Sequence, residues 1–378
     1  MIKIKVQEII TPRGVRYIVL DDDYAVINPI KRYLKFLDNV GKSPNTLKNY
    51  AFHLKIYCEY LREINIGIYD ISSIEGKGPL EILSDFIVWL QYPEMFEGKA
   101  IPITPIKEKR SNKTINFIMN TVLKFYDYLA KNNELPEVDV YKLQRNNSQF
   151  KSFLYELINN KKQIKKSLLK KHVDENQLEY ITREQYNEIF NLCYSNRDKI
   201  IVALMFEGGL RLSETLGLHI EDIEIWDAKV NIVPRENLEN GARVKNQAKG
   251  SVFIPDYVID LISDYILDDL DQFDTNFLFV NFKGKNKSKP MKAITVQKLF
   301  ERFSKKLDLS IHPHLCRHGY ATERLEAGWQ LVDIKDALRH RQINSTSIYT
   351  HFAEQFKKDK VREFYKQRNI KFGGANEE

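Results

Sequence analysis

Apolar and polar residues alternate at the start of the chain, and then the period changes. Ile2, Ile4 and Val6 are answered by Val15, Tyr17 and Val19 across Thr11-Pro12-Arg13-Gly14. A period of two on either side of a Pro/Gly turn predicts a β-hairpin, closed by Asp21-Asp22-Asp23. From about residue 26 the spacing becomes helical. Tyr33, Leu34 and Leu37 mark a short amphipathic helix. Ser43-Pro44-Asn45 then supplies a cap and a first-turn proline, and Leu47, Tyr50, Leu54, Tyr57 and Leu61 follow at i+3/i+4 spacing. Further helices are predicted over 79–92 and 114–131, with a Pro-punctuated loop from Gly98 to Pro105 between them. Thr182 with Gln185 resembles a capping box. A β-rich stretch spans about 223–255, through Ile223, Ile225, Val230, Ile232 and Val252 to Ile254, before helices resume. The pattern gives a mainly α chain with a small antiparallel β-sheet in its second half (α+β). It divides into a hairpin extension over 1–25, a helical domain over 26–140, a linker over 141–178 and a second domain with a C-terminal tail over 179–378.

Composition narrows the class. With 43% hydrophobic and 29% charged residues, a packed core is expected rather than disorder. The 58 Lys+Arg against 51 Asp+Glu give +7, which permits a nucleic-acid partner without demanding one. The basic pairs Lys161-Lys162, Lys165-Lys166 and Lys170-Lys171 read equally as a solvated helix face and as a DNA-contacting linker. Cys58, Cys193 and Cys316 have neither disulfide nor zinc spacing, which suits a reducing cytoplasm. The longest apolar run, Ile200 to Phe206, is far short of the ~20 residues that span a bilayer. A cytoplasmic protein with no membrane partner is expected.

Three clusters carry candidate chemistry. In Gly208-Gly209-Leu210-Arg211-Leu212-Ser213-Glu214 an apolar helix ends at a glycine pair and a new one starts beside Arg211. A guanidinium held there matches two oxygens of one phosphate; by itself the segment reads as a surface Arg bridging to Glu214. In His312-Pro313-His314-Leu315-Cys316-Arg317-His318, a helix from Pro313 puts positions 314, 317 and 318 on one face, an imidazole beside a permanent cation. A metal site is the rival there, without an acidic partner in HExxH spacing or a cysteine pair, and His318 alone reads as a core histidine bonded to backbone. The third cluster runs from Leu338-Arg339-His340 through Ser347-Ile348-Tyr349-Thr350-His351. Tyr349 is one of 20 tyrosines, and a phenol of pKa about 10 needs cations or a base to attack at neutral pH.

Taken in order, Arg211, His314-x-x-Arg317, and His340 followed by Tyr349 resemble the tyrosine recombinase (phage-type integrase) family over about 180–352, with a Xer-like third box. Ser43-Pro44-Asn45-Thr46-Leu47…Tyr50 is similar to that family's helical core-binding, DNA-binding domain, which puts Lys42, Asn45, Thr46, Lys48 and Lys113 forward as DNA contacts. Arg339 stands where the family has Gly and Cys316 where Leu is common; both departures read as structural.

The resemblance implies that Tyr349 attacks the scissile phosphate and becomes linked to the 3′ end while the 5′-hydroxyl leaves. Arg211 and Arg317 would clamp the non-bridging oxygens, His314 would be the acid/base partner and His340 would hydrogen-bond the phosphate. Lys245, or alternatively Lys249, would protonate the 5′-oxygen. No metal, ATP or other cofactor is implied. The implied partners are double-stranded DNA with specific sites, further copies of the chain as a tetramer in the synapse, and an accessory protein or partner recombinase. The implied setting is bacterial and nucleoid-associated, and the length leans toward a mobile-element integrase or transposase. Three rivals stay open: a type IB topoisomerase-like enzyme, a catalytically silent DNA-binding regulator, and a metal-dependent hydrolase using His312, His314 and His318.

Overall fold

The computed structural model describes residues 4–12, 14–72, 76–93, 108–138, 141–145, 163–173, 179–236, 238–244, 248–339, 349, 361–362 and 364–365. The chain divides into two units, Met1–Glu175 and Asn176–Glu378.

The first unit opens with the expected hairpin. β1 (Lys5–Thr11) pairs antiparallel with β2 (Gly14–Leu20), Lys5 opposite Leu20 and Thr11 opposite Gly14. Ile4 and Val19 enter the same core as the helices α1 (Asn28–Asn39), α2 (Pro44–Glu63), α3 (Pro79–Gln91) and α4 (Asn112–Lys131). α2 and α4 start alike: Ser43 accepts the Thr46 N–H at 3.2 Å and Ser111 accepts the Thr114 N–H at 3.4 Å. Such a cap contributes ~1 kcal/mol. The core between them is aromatic, and its buried hydroxyls are partnered. Tyr57 and Tyr126 share a 2.8 Å hydrogen bond, and Tyr60 donates to the Ile82 carbonyl at 3.0 Å, which spares the core the cost of unpaired polar atoms. The loop expected between Gly98 and Pro105 lies outside the described residues.

The lysine-rich segment differs from the expected helix face. β3 (Tyr141–Arg145) pairs antiparallel with β4 (Gln163–Ser167), Tyr141 opposite Ser167. The strands' hydrogen-bond partners are far apart in sequence, so no local periodicity announces them. Further on, the Lys171 N–H donates to Asn116 at 2.8 Å, and the Asn112 and Asn116 amides donate to the His172 and Lys171 carbonyls at 2.9 Å, fastening this stretch onto α4.

The second unit builds on α5 (Arg183–Asn191), α6 (Asn196–Phe206) and the short α7 (Leu212–Leu216). The capping box of Thr182 with Gln185 is present. A three-stranded antiparallel sheet follows, β5 (Ile223–Glu224), β6 (Lys229–Ile232) and β7 (Gly250–Phe253) in that order, with Val230 opposite Val252. α8 (Asp256–Asp264) runs into a π-helical turn over Tyr265–Leu270. α9 (Ala293–Leu307), α10 (Pro313–Glu326) and α11 (Leu331–Ala337) complete the unit. α6 is buried on every side from Ile200 to Phe206, so its apolar residues show no stripe. Among the described residues no helix is long and apolar enough to cross a membrane.

α10 approaches α6 closely because Gly319 has no side chain. A Cβ there would stand 2.3 Å from the Ile181 carbonyl oxygen and 2.6 Å from the Phe206 ring. Gly319→Ala should therefore destabilise the protein by about 1–3 kcal/mol, the usual effect of overpacking, read as a lower Tm by calorimetry. A variant that melts like the parent would contradict this contact.

Candidate active site

The first motif is shaped by a helix end. α6 stops at Phe206, Gly209 turns the chain with φ +60°, and Arg211 becomes the N-cap residue of α7. Glu214, in the first turn of α7, is buried. Its carboxylate accepts the Arg211 backbone N–H at 3.0 Å and Arg211 Nη1 at 2.5 Å. The i+3 bridge anticipated at the surface thus forms inside the protein.

Two more guanidiniums reach the same carboxylate. Arg317, on α10, is only 1% exposed, and its Nη1 lies 3.6 Å from Glu214 Oε2. It also donates to the carbonyl oxygens of Gly209 and Leu338, joining the first motif, the second and the end of α11. Arg339 donates from Nη2 to Glu214 Oε2 at 2.8 Å and from Nη1 to the Ala337 carbonyl at 2.9 Å. Arg339, expected to be structural, thus joins the charge cluster through its side chain. Cys316, by contrast, is simply buried in the core. Burial alone would push the Glu214 carboxyl up, but Arg339, Arg317 and Arg211 hold it below the ordinary carboxylate value. Burial, helped by Arg211 and Arg339 against the pull of Glu214, brings Arg317 down to about 9, still charged at neutral pH.

Tyr349 packs against Tyr320, Leu325, Ile334 and Leu338 and is 1% exposed. Its hydroxyl lies 2.7 Å from His318 Nδ1. Burial lifts the phenol above its ordinary value while Arg317 and Arg211 pull it back. Burial, His314, His312 and Arg317 bring His318 down to about 4, so a neutral imidazole can accept the hydroxyl hydrogen. The expectation of a core histidine bonded to backbone misses this contact. The exposed His314 ring stands edge-on to His318 with centroids 4.6 Å apart. A shared helix face, with 314, 317 and 318 together, was the available signal for His318; its partner lies 31 positions away.

Residues 179–355 match the Phage integrase family. Over 357 residues the chain is 32% identical to Transposase A from transposon Tn554 of Staphylococcus aureus, covering 94% of this chain and 96% of that protein. The chain belongs to the phage integrase family of tyrosine recombinases. Tyrosine recombinase XerA of Thermococcus onnurineus is 24% identical over 330 residues, 86% of this chain and 91% of that one. Two solved structures share the fold. XerH bound to palindromic difH substrate has a TM-score of 0.58 at 18% identity, over 88% of this chain and 83% of that one. The Tn1549 transposon integrase in complex with a circular intermediate DNA has a TM-score of 0.57 at 16% identity, over 88% and 99%.

In this tyrosine recombinase, then, Arg211, Arg317, His314 and Tyr349 are gathered in the second unit, while His340 and Lys245 lie outside the described residues. Lys249 is exposed and directly precedes β7; it lines a groove with Asp222, Asn231 and Arg235. β7 begins only at Gly250 and pairs with β6, and Arg243 and Val244 lie outside any strand. In the first unit Lys42, Asn45, Lys48 and Lys113 are exposed. Thr46 is instead engaged at the α2 cap, its hydroxyl 2.9 Å from Ser43 Oγ. Phe52 and Phe117, one turn beyond Lys48 and Lys113, are also exposed, and His53 meets Phe117 edge-on at 5.8 Å. Among the described residues, only the Asp21-Asp22-Asp23 turn groups atoms closely enough to share a metal ion; His312, His314 and His318 do not.

The depressed His318 gives a pH signature. Between the ordinary histidine value of about 6.5 and the folded value of about 4 the unfolded chain binds a proton that the folded chain refuses. The contribution is whole above about 6.5 and is lost as pH falls toward about 4. His53, also lowered to about 4 by burial, acts in the same window. His318→Gln should flatten the fall in Tm over this range without abolishing it; an unchanged slope would contradict the assignment.

Proposed function

We propose that this recombinase breaks and rejoins double-stranded DNA at specific sites through a bond between Tyr349 and the 3′ phosphate of the cut strand, in the service of a mobile element. The observation that carries this reading is the buried set of guanidiniums around Glu214, close enough to Tyr349 for Arg317 and Arg211 to favour its phenolate. The Tyr349 oxygen forms the new bond to phosphorus, and the bond from phosphorus to the 5′-oxygen breaks. As the new bond forms, the phenol proton is handed through His318 toward His314 and solvent, His314 serving as the acid/base partner. Lys245 or Lys249 gives a proton to the leaving 5′-oxygen, and His340 hydrogen-bonds the phosphate. Arg211 and Arg317 hold the non-bridging oxygens, where charge grows in the transition state. The phosphotyrosyl bond keeps the energy of the bond it replaces, so rejoining needs no ATP.

In this reading the helical first unit grips the duplex, with Lys42, Asn45, Lys48 and Lys113 toward phosphates and the exposed Phe52 and Phe117 beside them. The mobile-element role is supported by the near full-length similarity to a transposase. Four copies assemble on two sites. The exposed Val361 and Phe364 after the nucleophile supply apolar surface for a neighbouring copy.

The test is covalent trapping on DNA nicked beside the cleavage site, in EDTA. The parent should form a protein–DNA adduct and Tyr349→Phe none. Arg211→Ala should keep DNA binding while slowing adduct formation ~10²–10³-fold, the usual effect of losing one preorganised donor. Tight binding with no adduct at any site would overturn the reading in favour of a silent DNA-binding protein.

A further inference from the structure

Arg339 occupies a backbone position that resists it. Its φ is +53°, in the left-handed region that glycine enters freely and other residues rarely do. A residue kept there is held by its surroundings, and the side chain shows how. Its Cγ and Cδ lie across Gly250 at the start of β7, where a Cβ would stand 3.2 Å and 2.7 Å from them. The absence of a side chain at Gly250 opens the track along which the arginine reaches inward. At the end of that track Nη2 meets Glu214 and Nη1 meets the Ala337 carbonyl, while the buried Nε–H has no partner among the described residues. The side chain is 6% exposed, so little water screens its charge.

Counting charges gives this placement a meaning. Arg211 and Arg317 against Glu214 leave one positive charge in the cluster; with Arg339 there are three guanidiniums on one carboxylate, leaving two. A phosphodiester carries one negative charge, and a five-coordinate phosphorane formed from it by an attacking phenolate carries two. Charge in a water-poor site acts strongly, so the third arginine matches the transition state rather than the bound DNA. Arg339 is also first among the groups that keep the buried Glu214 ionised.

We propose that Arg339 is a positioning residue for strand cleavage: by pairing with Glu214 from across Gly250, it doubles the net positive charge that the cluster offers to the phosphorus centre. This rests on the cleavage reading under Proposed function. Arg339 acts through Glu214 rather than by touching the phosphate.

The experiment compares the parent with Arg339→Gly, which gives the left-handed position its preferred residue, and with Arg339→Lys, which keeps the charge. Three quantities are read on the full chain: Tm, DNA affinity by band shift, and the rate of Tyr349-dependent adduct formation at saturating protein on nicked DNA. Arg339→Gly is expected to stay folded with at most a modest fall in Tm, because relief of the left-handed backbone offsets part of the lost pairing with Glu214, to bind DNA nearly as tightly, and to form adduct at least about tenfold more slowly. Arg339→Lys should restore most of the rate. Parental cleavage by Arg339→Gly would overturn the proposal. So would a joint fall in Tm, affinity and rate that Lys does not repair, since that marks a merely structural role. If the parent itself forms no adduct, the cleavage reading fails, and the charge claim is then decided by inorganic phosphate. A phosphate-induced rise in Tm that is weakened in Arg339→Gly supports the third charge, and an equal rise in both proteins overturns it.

Discussion

A single buried carboxylate organises the catalytic unit. Glu214 accepts the Arg211 backbone and guanidinium, takes a hydrogen bond from Arg339 and stands near Arg317. Burying an ion costs several kcal/mol unless partners offset it, so none of these arginines would remain inside without the carboxylate, nor the carboxylate without them. Because one anion faces three cations, the balance is deliberately incomplete. In the proposed reaction, the surplus positive charge is what a phosphate diester would meet on arrival.

The cluster also fixes where the motifs meet. Arg317 spans from the Gly209 carbonyl to that of Leu338 and so holds the turn after α6 against the end of α11. Gly319 lets α10 lie against Ile181 and Phe206, which brings Arg317 and His318 to the right depth. Arg183, bonded to both Glu207 and Glu323, braces the same two helices from the side. Site and core are therefore not separable here: the side chains that bind charge also set the helix spacing.

Tyr349, the proposed nucleophile, is held in a resting condition. Burial keeps the Tyr349 phenol protonated, and the neutral His318 accepts its hydrogen. The opposing influence of Arg317 and Arg211 is already present in the folded chain. In the proposed reaction, having the imidazole and the cations in place before DNA arrives would lower the reorganisation needed.

Much of this was legible in the chain itself. Ser43 as a cap, the Thr182–Gln185 box, the helix from Pro313 and the glycine-marked end of α6 follow from interactions within a few residues, and such interactions leave their mark on local spacing. The order of Arg211, His314, Arg317 and Tyr349 likewise carried the family. What only the tertiary structure decided are the meetings of distant residues: Arg339 with Glu214 across 125 positions, Tyr349 with His318 across 31, and β3 with β4 where a helix face or linker was expected. These depend on how helices and strands pack and on which groups must share one buried countercharge, and no periodicity in a linear pattern records that.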